Sequence, residues 1–267
     1  MELKRQMEAI QQIISQQQKT SGKLLVEEQK YYENPDKSRD KPVGMENCKI
    51  CKGLGFILKK QANGETIAKY CDCAKKKISR EKFERTEIAN KYNYTFKNFQ
   101  AKEDWQKDIL NTAKEYIENY DGNDWFYIGG QVGAGKTHIC TAILRNLGEL
   151  KNITYAYIKC DEELEKLKQL TYEQQEKHND ILVNLKNVDL LFIDDFLRKT
   201  PTETDKSKLF DIINYRYLNN KACIFSSEKM LTEILNIDEG IGSRIFEKAK
   251  NFNMEIEKDF NKNYRLK

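Results

Sequence analysis

Residues 130 to 137 read Gly130-Gln131-Val132-Gly133-Ala134-Gly135-Lys136-Thr137, which matches the phosphate-loop pattern G-x-x-x-x-G-K-[ST] at every position. The apolar run Trp125 to Ile128 precedes the loop and predicts a strand, and the apolar stripe from Ile139 to Leu150 predicts a helix behind it. A loop between a strand and a helix offers backbone N–H groups and the positive end of a helix to a phosphate chain. The sequence therefore predicts an ATP site here.

Each residue type in this loop has a predicted part. Lys136 is predicted to reach the β- and γ-phosphates, and the Thr137 hydroxyl to ligate Mg²⁺. Neither His138 nor His178 stands in a metal-ligand spacing, so surface or packing roles are favoured, although His138 directly follows the loop and is counted with it. The predicted nucleotide-binding set is Gly130, Gly133, Ala134, Gly135, Lys136, Thr137 and His138.

Two carboxylates end a second apolar run, Leu190 to Ile193, which is typical of a buried strand of a parallel sheet. Ligands of open α/β folds bind at the carboxyl ends of such strands, so Asp194 is predicted to hold Mg²⁺ through water. Asp195 is predicted to orient or polarise the attacking water, with a capping role for a helix or loop as the alternative.

Strand-like runs alternate with helical stripes from residue 98 onward, which predicts an α/β fold with a parallel sheet flanked by helices. Ile153 to Ile158 lies between the two motifs in sequence, as suits ATPases with a strand inserted between the phosphate-loop and acidic strands. The predicted strands are Trp125 to Ile128, Ile153 to Ile158, Leu190 to Ile193, Ala222 to Phe225 and Phe252 to Ile256.

Four of the seven cysteines form two tight pairs ahead of this region, at Cys48, Cys51, Cys71 and Cys73. Four thiolates predict a closed, structural Zn²⁺ site, and Asn63-Gly64 between the pairs predicts a β-hairpin, so the segment is typical of a zinc ribbon. The other three cysteines, Cys140, Cys160 and Cys223, lie within helix or strand patterns and are predicted to be core residues.

The chain before the cysteines is polar and basic. Residues 1–90 carry 19 Lys and Arg against 13 Asp and Glu, which suggests an acidic partner such as nucleic acid or an acidic protein face. Leu3, Met7, Ile10 and Ile14 predict a short amphipathic helix that packs on the chain itself or docks on a partner protein. A run long and apolar enough to cross a membrane, or to act as a signal peptide, is absent from the sequence, which predicts a cytoplasmic protein.

Several segments together resemble the DnaC and DnaI type of bacterial and phage replicative helicase loader. They are G-Q-V-G-A-G-K-T-H at 130–138, L-L-F-I-D-D-F at 190–196, L-F-D-I-I-N-Y-R-Y-L-N-N-K-A-C-I-F-S-S-E at 209–228, I-G-S-R-I-F-E at 241–247 and Y-T-F-K-N-F at 94–99. The resemblance implies an AAA+ ATPase at 91–267 without a C-terminal lid, stimulated by DNA and by its partner. It also implies a zinc-binding helicase-interaction domain at 46–90, behind an N-terminal helix and linker at 1–45.

The resemblance further implies partners and site residues. The partners are a hexameric DNA helicase, single-stranded DNA and other copies of this chain in the ATP-bound state. Arg244 falls at the position of the arginine finger that completes a neighbouring subunit's site, with pairing to a local carboxylate as the alternative. Ser227 falls where the family senses the γ-phosphate, but Glu228 stands where an amide is usual, and Leu197 replaces a common Gly.

Three other functions share part of this motif set. IstB-type transposition ATPases carry most of the same motifs. A small-molecule kinase shares the phosphate loop, but the paired Asp residues, the Ser-Arg motif and the zinc ribbon argue against it. A zinc-containing DNA-binding module that ATP merely switches is the third alternative.

Overall fold

The computed structural model describes residues 44–60, 64–170 and 174–266 of the 267-residue chain. The amphipathic helix expected around Leu3 to Ile14, and nearly all of the 1–45 segment, lie outside the described residues. Within the described part of the chain, no helix is both long enough and apolar enough to span a membrane.

A β-hairpin forms the first part of the described chain. Strand β1 (Phe56–Lys60) pairs antiparallel with β2 (Thr66–Tyr70), in a register that sets Phe56 opposite Tyr70. Helix α1 (Asp72–Glu84) starts directly after the second strand and contains Cys73. A two-stranded hairpin is marginal by itself in water, so this unit needs the cysteine cluster or the neighbouring helix to hold it.

Five parallel strands form the main sheet and confirm the predicted α/β fold. In spatial order they run β4-β5-β6-β3-β7. The strand that separates the phosphate-loop strand β3 from the acidic strand β5 is therefore β6, whereas the run from Ile153, which lies between the motifs in sequence, becomes the edge strand β4. The strands are β3 (Phe126–Gly130), β4 (Tyr155–Lys159), β5 (Leu190–Asp194), β6 (Ala222–Ser226) and β7 (Asn253–Ile256).

Helices cover both faces of this sheet, because alternate residues of each central strand point to opposite sides. Phe126, Ile128 and Phe192 pack with helices on one face, and Tyr127, Leu191 and Ile193 pack with helices on the other. The helices are α2 (Glu87–Lys91), α3 (Asp104–Glu118), α4 (Lys136–Leu150), α5 (Cys160–Gln169), α6 (Gln175–Asn187), α7 (Glu203–Leu218), α8 (Leu231–Ile237) and α9 (Glu239–Lys248).

Helix α1 packs directly on the edge of this sheet. The Ser79 hydroxyl donates to the backbone carbonyl of Tyr155 and accepts from its N–H at 2.6 Å, so it satisfies polar groups on the open side of strand β4. Phe83 is 2% exposed and belongs, with Ile88 of α2, to the hydrophobic core of the ATPase region. Contacts between residues 72–91 and the sheet therefore cross the boundary predicted at residue 90.

Candidate functional site

The phosphate loop joins β3 to α4 in a conformation that only glycine adopts without strain. Gly130 has φ +100° and Gly133 has φ +73°. A Cβ atom at Gly130 would lie 2.0 Å from the Ile256 carbonyl oxygen, so a side chain there would push β7 away from the loop. The glycines thus permit both the turn and the close packing of β3 against β7.

Lys136 is held at the base of this loop. Its ammonium donates to the backbone carbonyls of Gly130 at 2.9 Å and Gln131 at 2.7 Å, and the residue is 8% exposed. Burial lowers the pKa of Lys136 to about 8, and the negative charge of Glu228 acts in the opposite direction. The ammonium is poised beside the loop where a triphosphate would bind.

Asp194 accepts hydrogen bonds from three hydroxyl groups. Thr137 donates to its Oδ1 at 2.9 Å, Ser226 donates to the same oxygen, and Tyr157 donates to Oδ2 at 3.2 Å. Burial raises the pKa of Asp194, while the three hydroxyls lower it. The phosphate-loop strand and the acidic strand therefore bring Thr137 and Asp194 together, although the two residues are 57 positions apart in sequence.

Thr137 and Asp194 are the groups that would hold Mg²⁺ in this site, through the hydroxyl oxygen and, by way of water, the carboxylate. Their direct contact at 2.9 Å shows that one ion can be reached by both, and oxygen ligands suit Mg²⁺. Mg²⁺ supplies charge neutralisation to β- and γ-phosphate oxygens when it is bound. Lys136 adds a second positive charge on the same side of the loop.

The affinity for ATP is expected to fall as pH rises above about 8, because the free protein then loses the Lys136 ammonium. Below that pH the charge is present and the affinity is constant; above it the affinity falls by up to about tenfold per pH unit, since one proton must be taken up on binding. Binding titrations between pH 7 and 9.5 measure this slope, and Lys136→Met, with weaker binding throughout, should be flat. A flat wild-type profile would contradict the assignment.

Asp195 and Ser227, the other two predicted catalytic residues near Asp194, make hydrogen bonds of different kinds. Asp195 follows β5 with φ +50°, and its N–H donates to the Ser226 hydroxyl at 3.2 Å. The Ser227 hydroxyl donates to the Phe196 carbonyl at 2.7 Å and accepts from the N–H of Lys229. Ser226, which the sequence analysis left unassigned, is thus the serine of this pair that contacts Asp194. The roles of Asp195 and Ser227 stay predictions.

Glu228, the departure from the usual amide, pairs with Arg198 across 3.6 Å between Oε1 and Nε. Both side chains are partly exposed, so the pair itself adds little stability. Leu197, the other departure, has φ +51°, the left-handed region where glycine is favoured, and is nevertheless 2% exposed. Its apolar burial in the core accompanies a backbone conformation that costs a leucine about 1 kcal/mol.

His138 lies in the first turn of α4 and packs against the segment that precedes the ATPase sheet. Its ring stacks on Tyr94 with centroids 4.5 Å apart, and its Nε2 lies 2.8 Å from the Thr95 carbonyl oxygen. Burial lowers the pKa of His138, which favours the neutral ring. These contacts give His138 a packing role beside the loop, and its part in nucleotide binding stays a prediction.

A segment near the end of the chain packs against the phosphate loop, a contact that no sequence motif indicates. The N–H of Tyr264 donates to the Gly133 carbonyl at 3.0 Å, and the N–H of Asp259 donates to the Gln131 side chain at 2.8 Å. A Cβ atom at Gly133 would also lie 1.9 Å from Asn263 Oδ1. Residues 259–264 therefore help fix the conformation of the phosphate loop.

Arg244 lies on α9 and is held by neutral groups of its own chain. It donates to the Asn214 side-chain oxygen at 3.0 Å and to the Gly240 carbonyl at 2.6 Å. Its guanidinium carbon lies 4.8 Å from the ring centre of Phe210 and 5.3 Å from that of Tyr217. Arg244 therefore does not pair with a carboxylate among the described residues, which was the alternative to an arginine finger. It also makes no contact with Asp194 of its own chain.

The four predicted zinc ligands form one cluster. Their sulfur atoms all lie within 4.8 Å of one another, with Cys48 and Cys71 3.8 Å apart and Cys51 and Cys73 3.4 Å apart. Tetrahedral Zn–S bonds of about 2.3 Å require sulfur separations of about 3.8 Å, so the cluster fits Zn²⁺. Backbone hydrogen bonds from Cys51 and Ile50 lower the pKa of the Cys48 thiol to about 6.

We expect the purified chain to hold one zinc ion, and Cys71→Ser to hold almost none, because a closed site loses most of its affinity with one thiolate. Elemental analysis by mass spectrometry measures the metal content. Cys160→Ser is the matched control, since Cys160 is buried in the ATPase core away from the cluster. Equal zinc in the wild type and Cys71→Ser would contradict the assignment.

The sequence profile of the bacterial DnaA ATPase domain matches residues 90–249, more than half of the chain. The phage-like element PBSX protein XkdC of Bacillus subtilis (strain 168) is 29% identical over 230 residues, which cover 81% of this chain and 85% of XkdC. A structure of replication initiator DnaA bound to AMPPCP and single-stranded DNA gives a TM-score of 0.55 at 26% identity, covering 67% of this chain and 53% of that one.

The crystal structure of the DnaC helicase loader has a TM-score of 0.54 at 21% identity and covers 62% of this chain and 97% of that chain, which shows a shared fold. The matched range 90–249 contains the phosphate loop, Asp194 and Arg244. Sheet order, site geometry and profile agree on one class of nucleotide-binding protein. The chain belongs to the bacterial DnaA ATPase-domain family and is a DnaA/DnaC-like AAA+ ATPase.

Proposed function

We propose that this protein is an ATP-dependent loader that binds a hexameric replicative DNA helicase and delivers it onto single-stranded DNA. The observation that carries the proposal is the cysteine module packed, through α1, on the edge of an AAA+ ATPase sheet. Zinc bound by these cysteines would add folding free energy to the small module, and so would hold its surface in one conformation for a protein partner. The DnaA relative bound to single-stranded DNA and the fold shared with the DnaC helicase loader support the same class of function.

The proposed division of labour follows the domain bounds predicted from the sequence. Residues 46–90 contact the helicase, and residues 91–267 bind and hydrolyse ATP. The zinc module offers exposed apolar groups for a protein contact: Ile50 is 70% exposed and Leu58 is 47% exposed. The nearby lysines of β1 and β2 add positive charge that suits an acidic protein face.

Arg244 is proposed to complete the ATP site of a neighbouring copy. In the single chain its guanidinium is held by Asn214 and Gly240 on its own surface. It must leave these neutral partners to meet a γ-phosphate across a subunit interface, where the charge of the phosphate outweighs an amide and a carbonyl. ATP-dependent assembly of the loader is the expected consequence.

The test uses the full chain, because Phe83 and Ile88 would be exposed in a fragment that ends at residue 90. Purified hexameric helicase is mixed with the loader and ATP, and complex formation is followed by size-exclusion chromatography with light scattering. Ile50→Asp should weaken the complex at least about tenfold, because a charge replaces an exposed apolar side chain of the proposed surface.

Leu150→Asp is the matched control, since Leu150 is 68% exposed but lies at the end of α4 in the ATPase region. It should bind the helicase like the wild type. Loading is then measured as helicase-dependent unwinding of a circular single-stranded template coated with single-stranded-DNA-binding protein. Failure to bind any replicative helicase, or phosphate transfer to a small acceptor, would contradict the proposal.

A further inference from the structure

Helix α1 connects the cysteine cluster with the core of the ATPase. Cys71 and Cys73 lie at its start, and Phe83 lies near its end, about 15 Å along the helix axis at 1.5 Å per residue. Ser79, between them, holds both backbone polar groups of Tyr155 on strand β4. Helix α1 is therefore a packed connection between the cysteine cluster and β4.

Tyr157 lies two residues after Tyr155 on β4 and contacts both α1 and Asp194, the carboxylate that would hold Mg²⁺. Its ring meets Phe83 edge to face with centroids 6.3 Å apart, and it packs against Phe192 at 5.3 Å on the other side. Its hydroxyl donates to Asp194 Oδ2 at 3.2 Å. Tyr157 therefore contacts α1 through its ring and Asp194 through its hydroxyl.

We propose that Tyr157 is a positioning residue for Asp194, and that it transmits the docking of α1, and with it the zinc module, to the Mg²⁺ site. The proposal rests on the nucleotide site described above. Thr137 and Ser226 both donate to Oδ1, so Tyr157 alone among the three hydroxyls holds Oδ2 and fixes the rotation of the carboxylate. A helicase bound to the zinc module then alters ATP hydrolysis through this contact.

The first test is Tyr157→Phe, which keeps the ring between Phe83 and Phe192 and removes only the hydroxyl. Binding of a fluorescent, non-hydrolysable ATP analogue is titrated at increasing Mg²⁺ concentrations and in EDTA. Mg²⁺ should raise the affinity for the analogue, and the Mg²⁺ concentration that gives half of this increase should be about fivefold higher in the variant, as expected for one lost hydrogen bond. Binding of the analogue in EDTA should be unchanged. Tyr155→Phe is the control: the same strand and the same neighbour Phe83, but away from Asp194.

The second test measures coupling. Phe83→Leu should raise the half-maximal Mg²⁺ concentration in the wild-type background. It should raise it no further in Tyr157→Phe, because that variant already lacks the contact between Tyr157 and Asp194. By hydrogen exchange, Mg²⁺ and the analogue should protect residues 72–84 in the wild type and in Tyr155→Phe, and not in Tyr157→Phe, since linkage is reciprocal.

The outcomes separate the two proposals. If the wild type shows no Mg²⁺-dependent binding, the nucleotide site itself is wrong and the role of Tyr157 falls with it. If the wild type binds as described but Tyr157→Phe matches it, only the positioning role is overturned. Additive effects of Phe83→Leu and Tyr157→Phe would overturn the route from α1 to Asp194.

Discussion

Asp194→Asn is expected to lower the rate of ATP hydrolysis about a hundredfold or more while leaving nucleotide binding in EDTA intact. The amide is isosteric and still accepts from Thr137 or Ser226, so the fold is kept. It carries no charge, however, and without that charge Mg²⁺ would be held less firmly beside the reacting phosphates, which costs catalysis several kcal/mol. Phosphate release at saturating Mg²⁺-ATP measures the effect.

Asp189→Asn is the matched control because it removes a carboxylate from the opposite end of the same strand. Asp189 accepts from the N–H and hydroxyl of Thr154, both at 2.8 Å, and has a structural part only. Its hydrolysis rate should stay within about twofold of the wild type. An Asp194→Asn variant with near wild-type turnover would remove Asp194 from the catalytic site.

Arg216→Met is expected to lower the free energy of unfolding by about 3–5 kcal/mol, since each buried acceptor left unpaired costs about 1–3 kcal/mol. Arg216 is 0% exposed, and its guanidinium donates to the carbonyls of Leu185 and Val188 at 2.8 and 3.0 Å. These carbonyls end α6, where a cation also meets the negative end of the helix. Methionine fills the volume but leaves several buried acceptors unpaired, which is the costly case. Urea unfolding measures the change.

Lys206→Met on the same helix provides the comparison. Lys206 pairs with an exposed Glu203 at 2.8 Å, so its loss should change the free energy of unfolding by less than about 0.5 kcal/mol. An Arg216→Met variant within about 1 kcal/mol of the wild type would show that the carbonyls find other donors, such as water, and that the arginine does not hold α6 to the sheet.

The local parts of this site were predictable from sequence because neighbouring residues define them. The phosphate loop needs its glycines, Lys136 and Thr137 in one short stretch, and the cysteine pairs supply two ligands from each turn. Five strand-like runs likewise predicted the parallel sheet that the structure shows. In these cases one segment of chain contains the whole signal.

The contacts around Asp194 were not predictable because they depend on strand order. Ser226 meets Asp194 only because β6 lies beside β5, and Tyr157 does so only because β4 lies on the other side. A sequence shows each of them merely as a polar residue at a strand position. Ser226 contacts the carboxylate, whereas Ser227, which the family resemblance assigns to γ-phosphate sensing, donates to the Phe196 carbonyl, and its predicted role stays a prediction.

Arg216 was missed for a related reason. The periodicity of Leu209, Ile212 and Ile213 predicts the buried face of α7, and an arginine on such a stripe is ordinarily assigned to the surface. Its buried position follows from the carbonyls at the end of α6, which belong to a different segment of chain. Helix α6 itself has only Leu185 fully buried, so its apolar pattern is weak.

The central claim is that the phosphate loop, Lys136, Thr137 and Asp194 form one site for a nucleoside triphosphate with Mg²⁺. Isothermal titration calorimetry of the full chain with a non-hydrolysable ATP analogue tests it most directly. We expect one site per chain, with tighter binding in Mg²⁺ than in EDTA, weaker binding in Lys136→Ala and unchanged binding in Lys151→Ala, at the far end of α4. Absence of binding, or equal affinity in Lys136→Ala, would contradict it.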